Sequence, residues 1–312
     1  MPVLGIDTSC YTTSMAVVDG PQLLSDERKL LMVEAGGRGL QQSNALFQHV
    51  QNLPLLFDQL NLSSLRIGAV AVSARPRPRD GSYMPVFTAG YACAKAVASA
   101  LGVPLFETSH QEGHIAAGCF SLGMRPSSPF LAFHISGGTT ELLRAEPDGA
   151  GYRLDIVGET IDLHAGQVVD RVGVALGLRF PAGPALERLA KEHCGVPVSK
   201  PLKAFLDGAN CSLSGMESTA QRLIAAGDDG GAVAHEVQRC LASVFISMAL
   251  AASEATGLNE LLVIGGVASN EFIRGQLTET LGRRGIRALF AVNPFSSDNA
   301  VGVAHIGQNL IG

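Results

Sequence analysis

Two stretches of the chain share one pattern of apolar and polar positions, and each predicts a strand, a small polar turn and a second strand. They are "LGIDTSCYTTSMAVV" at 4–18 and "LAFHISGGTTELLRA" at 131–145. An ungapped alignment has these identities: Leu4 and Leu131, Ser9 and Ser136, Thr12 and Thr139, Thr13 and Thr140. The repeat indicates an internal duplication whose boundary lies in the Pro/Ser-rich "GMRPSSP". We therefore predict two domains, residues 1–126 and 127–312.

The remaining periodicity predicts helices and strands in alternation. In the first half we expect a helix at 40–60, a strand in "IGAVAVSA", a helix in "VFTAGYACAKAVASALG" that ends at Gly102, a strand in "VPLFETS" and a further helix. In the second half we expect strands in "LAFHIS", "ELLRAEP", "YRLDIVGET", "ELLVIGGV" and "ALFAVN", and helices near 164–178, 184–194, 232–256, from Ser269 and at the end. This order predicts an α/β fold with a ligand-binding cleft between two domains.

Composition narrows the class of protein. With 46% hydrophobic residues the chain is globular, and its net charge of −5 gives no global signal for nucleic acid, so any RNA contact is local or shared with a partner. The start "MPVLGIDTS" does not resemble a signal peptide, and "CLASVFISMALAA" is too short for a membrane span, so we expect no membrane association. Without C-x-x-C spacing, we interpret the cysteines as reduced thiols of a cytoplasmic protein: Cys10, Cys93, Cys119, Cys194, Cys211 and Cys240.

The stretch "SHQEGHIAAG" places His110 and His114 one helical turn apart on the same face. This spacing permits a shared metal ion, but two histidines that cap or pack at a helix start fit it equally well. The zinc-peptidase motif H-E-x-x-H does not match, because Glu112 lies about 200° around the helix from each histidine. We therefore expect Glu112 to point away from the ion and the protein not to be a protease.

Three loops rich in small residues, "DTSCYTTS", "SGGTT" and "GGVASN", follow predicted strands. Glycine lets a nucleotide approach the backbone closely, and although a single Gly-Gly after a strand is more often an ordinary turn, the three loops together favour a nucleotide site. Neither the Walker nor the dinucleotide-binding glycine pattern is present. The run "RPRPRD" contains Arg75, Arg77 and Arg79, which fit phosphate contact or, more commonly, a solvated loop.

The sequence resembles the tRNA threonylcarbamoyladenosine transferase family, formerly described as O-sialoglycoprotein endopeptidases. The resemblance is carried, in order, by "GIDTSCYTTSMAVVD", "HQEGHIAA", "ISGGTTEL", "GETIDLHAGQVVDRVGVALGL", "FPAGP", "IGGVASN" and "SSDNAVGVA". It implies a two-domain duplicated fold of the actin, sugar-kinase and Hsp70 type. It also implies threonylcarbamoyl-AMP or another adenine nucleotide as donor, adenosine in tRNA as acceptor, and partner proteins of the threonylcarbamoyl pathway.

The resemblance implies one iron or zinc ion bound by His110, His114 and Asp298. Carried over in the same way, the residues at the substrate are Ile135, Ser136, Gly137, Gly138, Thr139, Asp170, Gly183 and Asn270. Each carboxylate or amide also has an ordinary structural explanation. Asp170 fits a solvated helix position, and Asn270 and Asp298 fit helix caps.

The chain departs from the family pattern at several positions. The family's "ETSCDET" is "DTSCYTT" here, with Tyr11 and Thr12 in place of carboxylates, and Thr139 replaces a histidine. The segment "RPRPRDGSYMP" stands where the family has A-G-P-G-L, Gln167 replaces a glutamate and Leu163 an aspartate. The chain therefore resembles a divergent paralogue. Two alternatives stay open: a carbamoyltransferase acting on a small molecule, and a non-catalytic nucleotide-binding subunit that scaffolds the tRNA-modification complex.

Overall fold

The computed structural model describes residues 1–9, 11–32, 40–60, 62, 65–193 and 195–311. The chain forms two compact units. The N-terminal unit comprises Met1–Ser128, Glu146–Leu154 and Ala291–Gly312, and the C-terminal unit comprises Pro129–Ala145 and Asp155–Phe290. The first segment of the N-terminal unit ends at Ser128, two residues beyond the predicted boundary after residue 126. The chain then returns to this unit at Glu146 and again at Ala291.

Twelve strands are present among the described residues: β1 (Val3–Thr8), β2 (Thr12–Asp19), β3 (Gln22–Leu30), β4 (Ala69–Arg75), β5 (Leu105–Ser109), β6 (Phe130–Ile135), β7 (Thr140–Asp148), β8 (Gly151–Glu159), β9 (Phe205–Asp207), β10 (Asn210–Ser212), β11 (Glu260–Ile264) and β12 (Arg287–Phe290). They form sheets of order β3-β2-β1-β4-β5 and β12-β11-β6-β7-β8 and a small β10-β9 sheet. In the large sheets, β1 and β6 each have an antiparallel neighbour on one side and a parallel neighbour on the other. The shared topology confirms the duplication.

The helices of the described residues are α1 (Gln42–Gln59), α2 (Phe87–Leu101), α3 (His110–Ser121), α4 (Ala165–Ala175), α5 (Gly183–Lys191), α6 (Ser214–Ala226), α7 (Gly230–Thr256), α8 (Glu271–Gly282) and α9 (Val301–Ile311). The sequence predicts all of these except α6. It also misses β3 and the β9–β10 hairpin. As predicted, α2 ends at Gly102, whose φ of 67° is in the left-handed region that glycine adopts readily.

Helix α9 explains why the last segment of the chain belongs to the N-terminal unit. It lies so close to β1 that a Cβ added at Gly5 would be 2.8 Å from the Cβ of Ala304. A Cβ added at Gly307 would likewise be 2.8 Å from that of Ala71 in β4. Small residues on both surfaces therefore allow the helix to pack directly on the sheet, and that arrangement places the start of α9 beside α3.

The C-terminal unit has its own core around α7. This 27-residue helix buries an apolar face against β6, where the rings of Phe133 and Phe245 meet edge to face at 5.3 Å between centroids. Within the described ranges, every helix is too short or too polar to cross a membrane. Free thiols are present at Cys93, Cys119, Cys211 and Cys240, whereas Cys10 and Cys194 lie outside the described residues.

Candidate metal centre and glycine loops

Helix α3 begins at His110 because Ser109 caps it. The Ser109 hydroxyl accepts a hydrogen bond from the Glu112 amide at 3.2 Å, and the Glu112 carboxylate accepts from the Ser109 amide at 2.9 Å. Together these bonds form a capping box. The Glu112 Oε2 atom also accepts from the hydroxyls of Ser109 and Thr108. The carboxylate is therefore turned towards the start of the helix and is occupied by capping.

The two histidines of α3 and Asp298 place three ligand atoms together in the N-terminal unit. The Nε2 atoms of His110 and His114 lie 3.0 Å apart. The Oδ1 atom of Asp298 lies 3.7 Å from Nε2 of His110 and 3.3 Å from Nε2 of His114. Among the described residues, this is the only group of three histidine, cysteine or acidic side chains whose ligand atoms converge closely enough for one ion.

Asp7 orients His110 from the end of β1. Its Oδ2 atom lies 2.7 Å from Nδ1 of His110, and the carboxylate is buried, with 1% of its side chain exposed. A proton on Nδ1 is therefore shared with Asp7, which leaves Nε2 directed at Asp298 and His114. The sequence does not identify Asp7 as a partner of His110. The one feature that could have indicated it is an acidic residue inside an otherwise apolar strand.

The charges of the two histidines are coupled. Burial lowers the pKa of His110, but the neighbouring carboxylates Asp7 and Asp298 outweigh it and raise that pKa to about 9. Burial and the adjacent His110 lower the pKa of His114. Two imidazoles in contact do not readily carry two charges, so the carboxylates favour a charge on His110 and the contact disfavours a second one on His114.

The three ligand atoms fit a metal ion. A triangle with these sides has a point about 2.1 Å from all three corners, which is the usual distance from zinc to a histidine nitrogen or a carboxylate oxygen. A mixed set of imidazoles and a carboxylate suits iron or zinc. The buried carboxylate of Asp7 also favours a cation nearby, because an ionised carboxylate is costly to bury without positive charge. The identity of the metal does not follow from these distances.

Asp298 is available to the histidines because its neighbour caps α9. The side chain of Asn299 accepts from the amides of Val301 and Gly302 at 2.9 and 3.4 Å. The same side chain donates to the carbonyls of Phe295 and Ser297. Asn299 thus fills the capping role that the sequence left open for Asp298.

In the C-terminal unit, the loops "SGGTT" and "GGVASN" lie against each other. Ile135 is buried at the end of β6, and a Cβ added at Gly265 would collide with its carbonyl oxygen. The Ser136 amide donates to the Thr139 carbonyl at 2.7 Å and closes the turn, and the Gly166 amide of α4 donates to the Ser136 carbonyl at 3.1 Å. Two of the three predicted loops are therefore neighbours in this unit.

Gly137 and Gly138 form the exposed tip of that turn. A Cβ added at either glycine would meet no atom within 4 Å. On the other side of the turn the packing is tight, since a Cβ added at Gly166 would lie 2.6 Å from the Gly137 nitrogen. The turn thus has a tightly packed inner side on α4 and an open outer side.

The other predicted substrate residues of this unit take part in holding its loops. The Asp170 carboxylate accepts from the Ala182 amide at 2.7 Å, just before Gly183 begins α5. Burial raises the pKa of Asp170, although that hydrogen bond partly opposes the shift. The side chain of Asn270 accepts from the Ile273 amide at 2.9 Å and donates to Gln238 at 2.8 Å. Asn270 is thus the cap of α8, which is the ordinary structural explanation that the sequence offered.

The arginine-containing loop lies beside the metal centre in the N-terminal unit. The Pro76 carbonyl accepts from the amide of Gln111, the residue after His110. A bond from the Arg77 amide to the Ser82 hydroxyl at 3.0 Å closes the loop on itself. Arg79 is exposed, and Arg75 and Arg77 are partly buried.

Comparison with known proteins adds the decisive observation. A family model described as tRNA N6-adenosine threonylcarbamoyltransferase matches residues 38–305. The chain belongs to this family. It is 32% identical over 326 residues to the protein of that name from Albidiferax ferrireducens, covering 97% of this chain and 90% of the relative. It is 34% identical over 306 residues to the one from Thermus thermophilus, covering 97% and 91%.

Solved structures of more distant proteins share the fold. HypF of T. kodakarensis has a TM-score of 0.66 at 14% sequence identity, and the match covers 99% of this chain but 47% of HypF. Component A of the (R)-2-hydroxyglutaryl-CoA dehydratase of Acidaminococcus fermentans has a TM-score of 0.56 at 14% identity, covering 99% of both chains. A glucokinase of the ROK family from Streptomyces griseus has a TM-score of 0.52 at 12% identity, covering 98% of both chains. These similarities concern the fold alone, and it is the duplicated actin, sugar-kinase and Hsp70 type predicted from the sequence.

Proposed function

We propose that this chain is a metal-dependent transferase that moves a threonylcarbamoyl group from threonylcarbamoyl-AMP to adenosine in tRNA. The N6 amine of the adenosine attacks the carbamoyl carbon of the donor and forms a new N–C bond. The bond from that carbon to the phosphate oxygen breaks, AMP leaves with its electron pair, and the amine loses one proton to solvent. The observation that carries the proposal is the convergence of His110, His114 and Asp298 in a chain that the family model matches over residues 38–305.

The residues of the metal centre have separate roles in this proposal. His110, His114 and Asp298 hold one iron or zinc ion. When bound, the ion supplies a Lewis acid that polarises a carbonyl or phosphoryl oxygen of the donor. Asp7 keeps the proton of His110 on Nδ1 and so keeps Nε2 available as a ligand.

The nucleotide part of the donor is proposed to bind at the glycine loops. Open space above Gly137 and Gly138 supports this, because backbone amides there can approach phosphate or carbamoyl oxygens without a side chain between. Asp170 accepts from ribose hydroxyls, and Gly183 allows close approach. Asn270 fixes the start of α8 through its cap and so shapes this site.

Two surface features of the N-terminal unit support tRNA as the acceptor and a protein of the pathway as a partner. The arginines of the "RPRPRD" loop provide positive charge near the metal centre for tRNA phosphates, in a chain of net charge −5. Helix α1 exposes Phe47, Val50 and Leu55, with 61%, 55% and 44% of these residues accessible, and such apolar surface suits a partner protein of the pathway. A reaction on tRNA fits the predicted cytoplasmic location.

Transfer to tRNA tests the proposal directly. Metal-loaded protein is incubated with threonylcarbamoyl-AMP and a tRNA transcript, alone and with the pathway partner proteins, and the digested nucleosides are measured by mass spectrometry. We expect threonylcarbamoyladenosine with the parent protein and none above background with His114→Ala. His193→Ala, which removes a histidine of the C-terminal unit, is the matched control.

The alternatives predict different outcomes when small-molecule acceptors, or an active transferase, are added to the same assay. Release of AMP without modified tRNA, together with a carbamoylated small molecule, would identify a transferase with another acceptor. Nucleotide binding without turnover, combined with stimulation of an active transferase by the chain, would identify the scaffold. Either result contradicts the proposal.

A further inference from the structure

Arg28 connects β3 to the loop that carries the metal ligand Asp298. Its Nη1 atom donates to the carbonyl of Pro294 at 2.8 Å, to the hydroxyl of Ser297 at 3.1 Å and to the carbonyl of Asp298 at 3.2 Å. The two chain segments are some 270 residues apart in sequence, so this connection exists only in the folded N-terminal unit.

Asp26 fixes the direction of the Arg28 side chain. Its two carboxylate oxygens accept from Nε and Nη2 of Arg28 at 2.9 and 2.5 Å, a bidentate pair with 18% of the arginine side chain and 13% of the aspartate side chain exposed. Paired bonds of this kind are stronger and more directional than single neutral ones. The pair leaves Nη1 of Arg28 directed at the loop.

Several hydrogen bonds within residues 291–299 join positions two to five residues apart. Asn299 donates to Phe295 and Ser297, and the Ser296 hydroxyl donates to the carbonyl of Ala291. These bonds give the loop its internal shape, and a bond of 3.1 Å from the Val292 amide to the Ser121 hydroxyl ties the start of the loop to the last residue of α3. Arg28 contacts the backbone of Asp298 itself, where a small displacement would change the distances from Oδ1 to the two histidines.

We propose that Arg28 is a positioning residue for the metal centre: with Asp26 it holds the backbone of Asp298 so that its carboxylate completes the ligand set with His110 and His114. This inference rests on the metal site of the proposed function but not on its substrate. Arg28 does not touch the ion. Replacing it therefore weakens metal binding only through Asp298.

Binding of Co²⁺ tests this without donor or tRNA. The affinity is measured by equilibrium dialysis, and the visible absorption of bound Co²⁺ reports its ligand set. We expect Arg28→Met to weaken Co²⁺ binding by about 10-fold to 100-fold, the usual effect of removing a partner of a ligand, and to change the spectrum towards that of Asp298→Ala. Arg28→Lys keeps the charge without the bidentate geometry and should restore the affinity only in part.

A double substitution separates positioning from general stability. If Arg28 acts through Asp298, Arg28→Met should weaken Co²⁺ binding far less in the Asp298→Ala background than in the parent. Arg153→Met, which removes an exposed arginine paired with Glu146 in the same unit, is the matched control and should leave the affinity unchanged. Urea unfolding of the metal-free proteins checks that each variant is folded.

If Arg28→Met does not fold, the Asp26→Asn variant is used instead. This variant keeps Arg28 but removes the negative charge from the bidentate pair. A Co²⁺ affinity within about twofold of the parent in a folded variant would overturn the inference, as would equal effects with and without Asp298. A parent protein that binds no Co²⁺ would also overturn it. A parent that binds Co²⁺ with these dependences yet transfers nothing to tRNA would contradict the proposed function and leave the role of Arg28 intact.

Discussion

The candidate metal centre and the glycine loops are built in opposite ways. In the N-terminal unit, the centre consists of side chains, and other side chains orient them, as Asp7 orients His110. In the C-terminal unit, the loops offer mainly exposed backbone, and the polar side chains predicted to meet a substrate already hold loops or helix ends, as Asp170 and Asn270 do. A site of side chains depends on the chemistry of each residue, whereas a site of backbone depends on the absence of side chains. Substitutions should therefore affect the two regions differently.

The largest effect is expected from removing a side chain of the metal centre. His114→Ala should abolish stoichiometric binding of zinc or iron, because two ligands remain where a stable site needs at least three.

Asp7→Asn should weaken binding of the same ion by about 10-fold to 100-fold, since Asp7 orients a ligand but does not bind the ion. Elemental analysis after dialysis measures both, with His193→Ala as the control. Full metal occupancy in His114→Ala would remove this site.

A pair of glycine substitutions tests the backbone site. Gly137→Val should weaken binding of AMP by at least about 10-fold, because its side chain enters the open space above the turn and restricts the backbone. Its free energy of unfolding should fall by less than about 1 kcal/mol, since no protein atom lies there. Gly166→Val should instead lower the free energy of unfolding by about 2 to 3 kcal/mol through overpacking against Gly137.

Calorimetry with AMP and urea unfolding distinguish the two effects. Equal AMP affinity of the parent and Gly137→Val would show that this loop does not bind the nucleotide. A large loss of stability in Gly137→Val would show that the outer side of the turn is not open. Either result would remove the contrast between the two regions.

Much of the fold could be predicted because it follows from local pattern. Strands, helices and the duplication depend on apolar periodicity and on turn residues such as Gly102, which act over a few positions. The metal ligands His110 and His114 are also local, since one helical turn joins them. Asp298 was assigned only through the resemblance to the family, because no spacing rule relates it to α3.

The remaining contacts could not be predicted because they depend on packing between distant segments. Asp7 and His110 are 103 positions apart, and they meet because β1 ends beside the start of α3. Likewise, α9 joins the N-terminal unit because small residues allow it to pack on β1 and β4. Whether Asp170 and Asn270 face a substrate or a neighbouring loop depends on the same kind of packing, so residue type alone left both explanations open.

A smaller effect is expected at Asp162, a side chain of the C-terminal unit that holds loops together. Burial alone would raise its pKa, but the hydroxyls of Ser212 and Ser214 and the amides of Leu213 and Leu163 hold the pKa of this carboxyl well below its usual range. Because the folded-state pKa is lower than the unfolded value of about 3.9, the stabilisation is complete above that pH and is lost as the pH falls towards the folded value.

Asp162→Asn should therefore lower the free energy of unfolding at pH 7 by about 1 to 2 kcal/mol, a modest figure because the side chain is exposed. The difference from the parent should shrink as the pH falls below about 4. Urea unfolding at a series of pH values measures it, and Asp155→Asn, at another exposed position in the same unit, is the control. If the difference in free energy of unfolding between the parent and Asp162→Asn stays constant down to pH 3, the hydrogen bonds to the ionised Asp162 carboxylate do not stabilise the fold.

The smallest effect is expected from replacing Glu112. We also expect the protein to have no measurable protease activity. A metallopeptidase needs a carboxylate base beside the metal-bound water, but the Glu112 carboxylate accepts from Thr108 and Ser109 at the start of α3. Glu112→Gln keeps an oxygen acceptor there, so its metal affinity should change by less than about 10-fold, the lower limit typical of a lost ligand partner. Metal-loaded parent and variant are incubated with casein and with a glycoprotein, and neither should cleave them above a buffer control. Reproducible cleavage that is lost in both His114→Ala and Glu112→Gln would show that Glu112 acts as a base beside the metal. The Glu112 carboxylate would then have to leave its capping position during the reaction. That result would contradict the transferase mechanism.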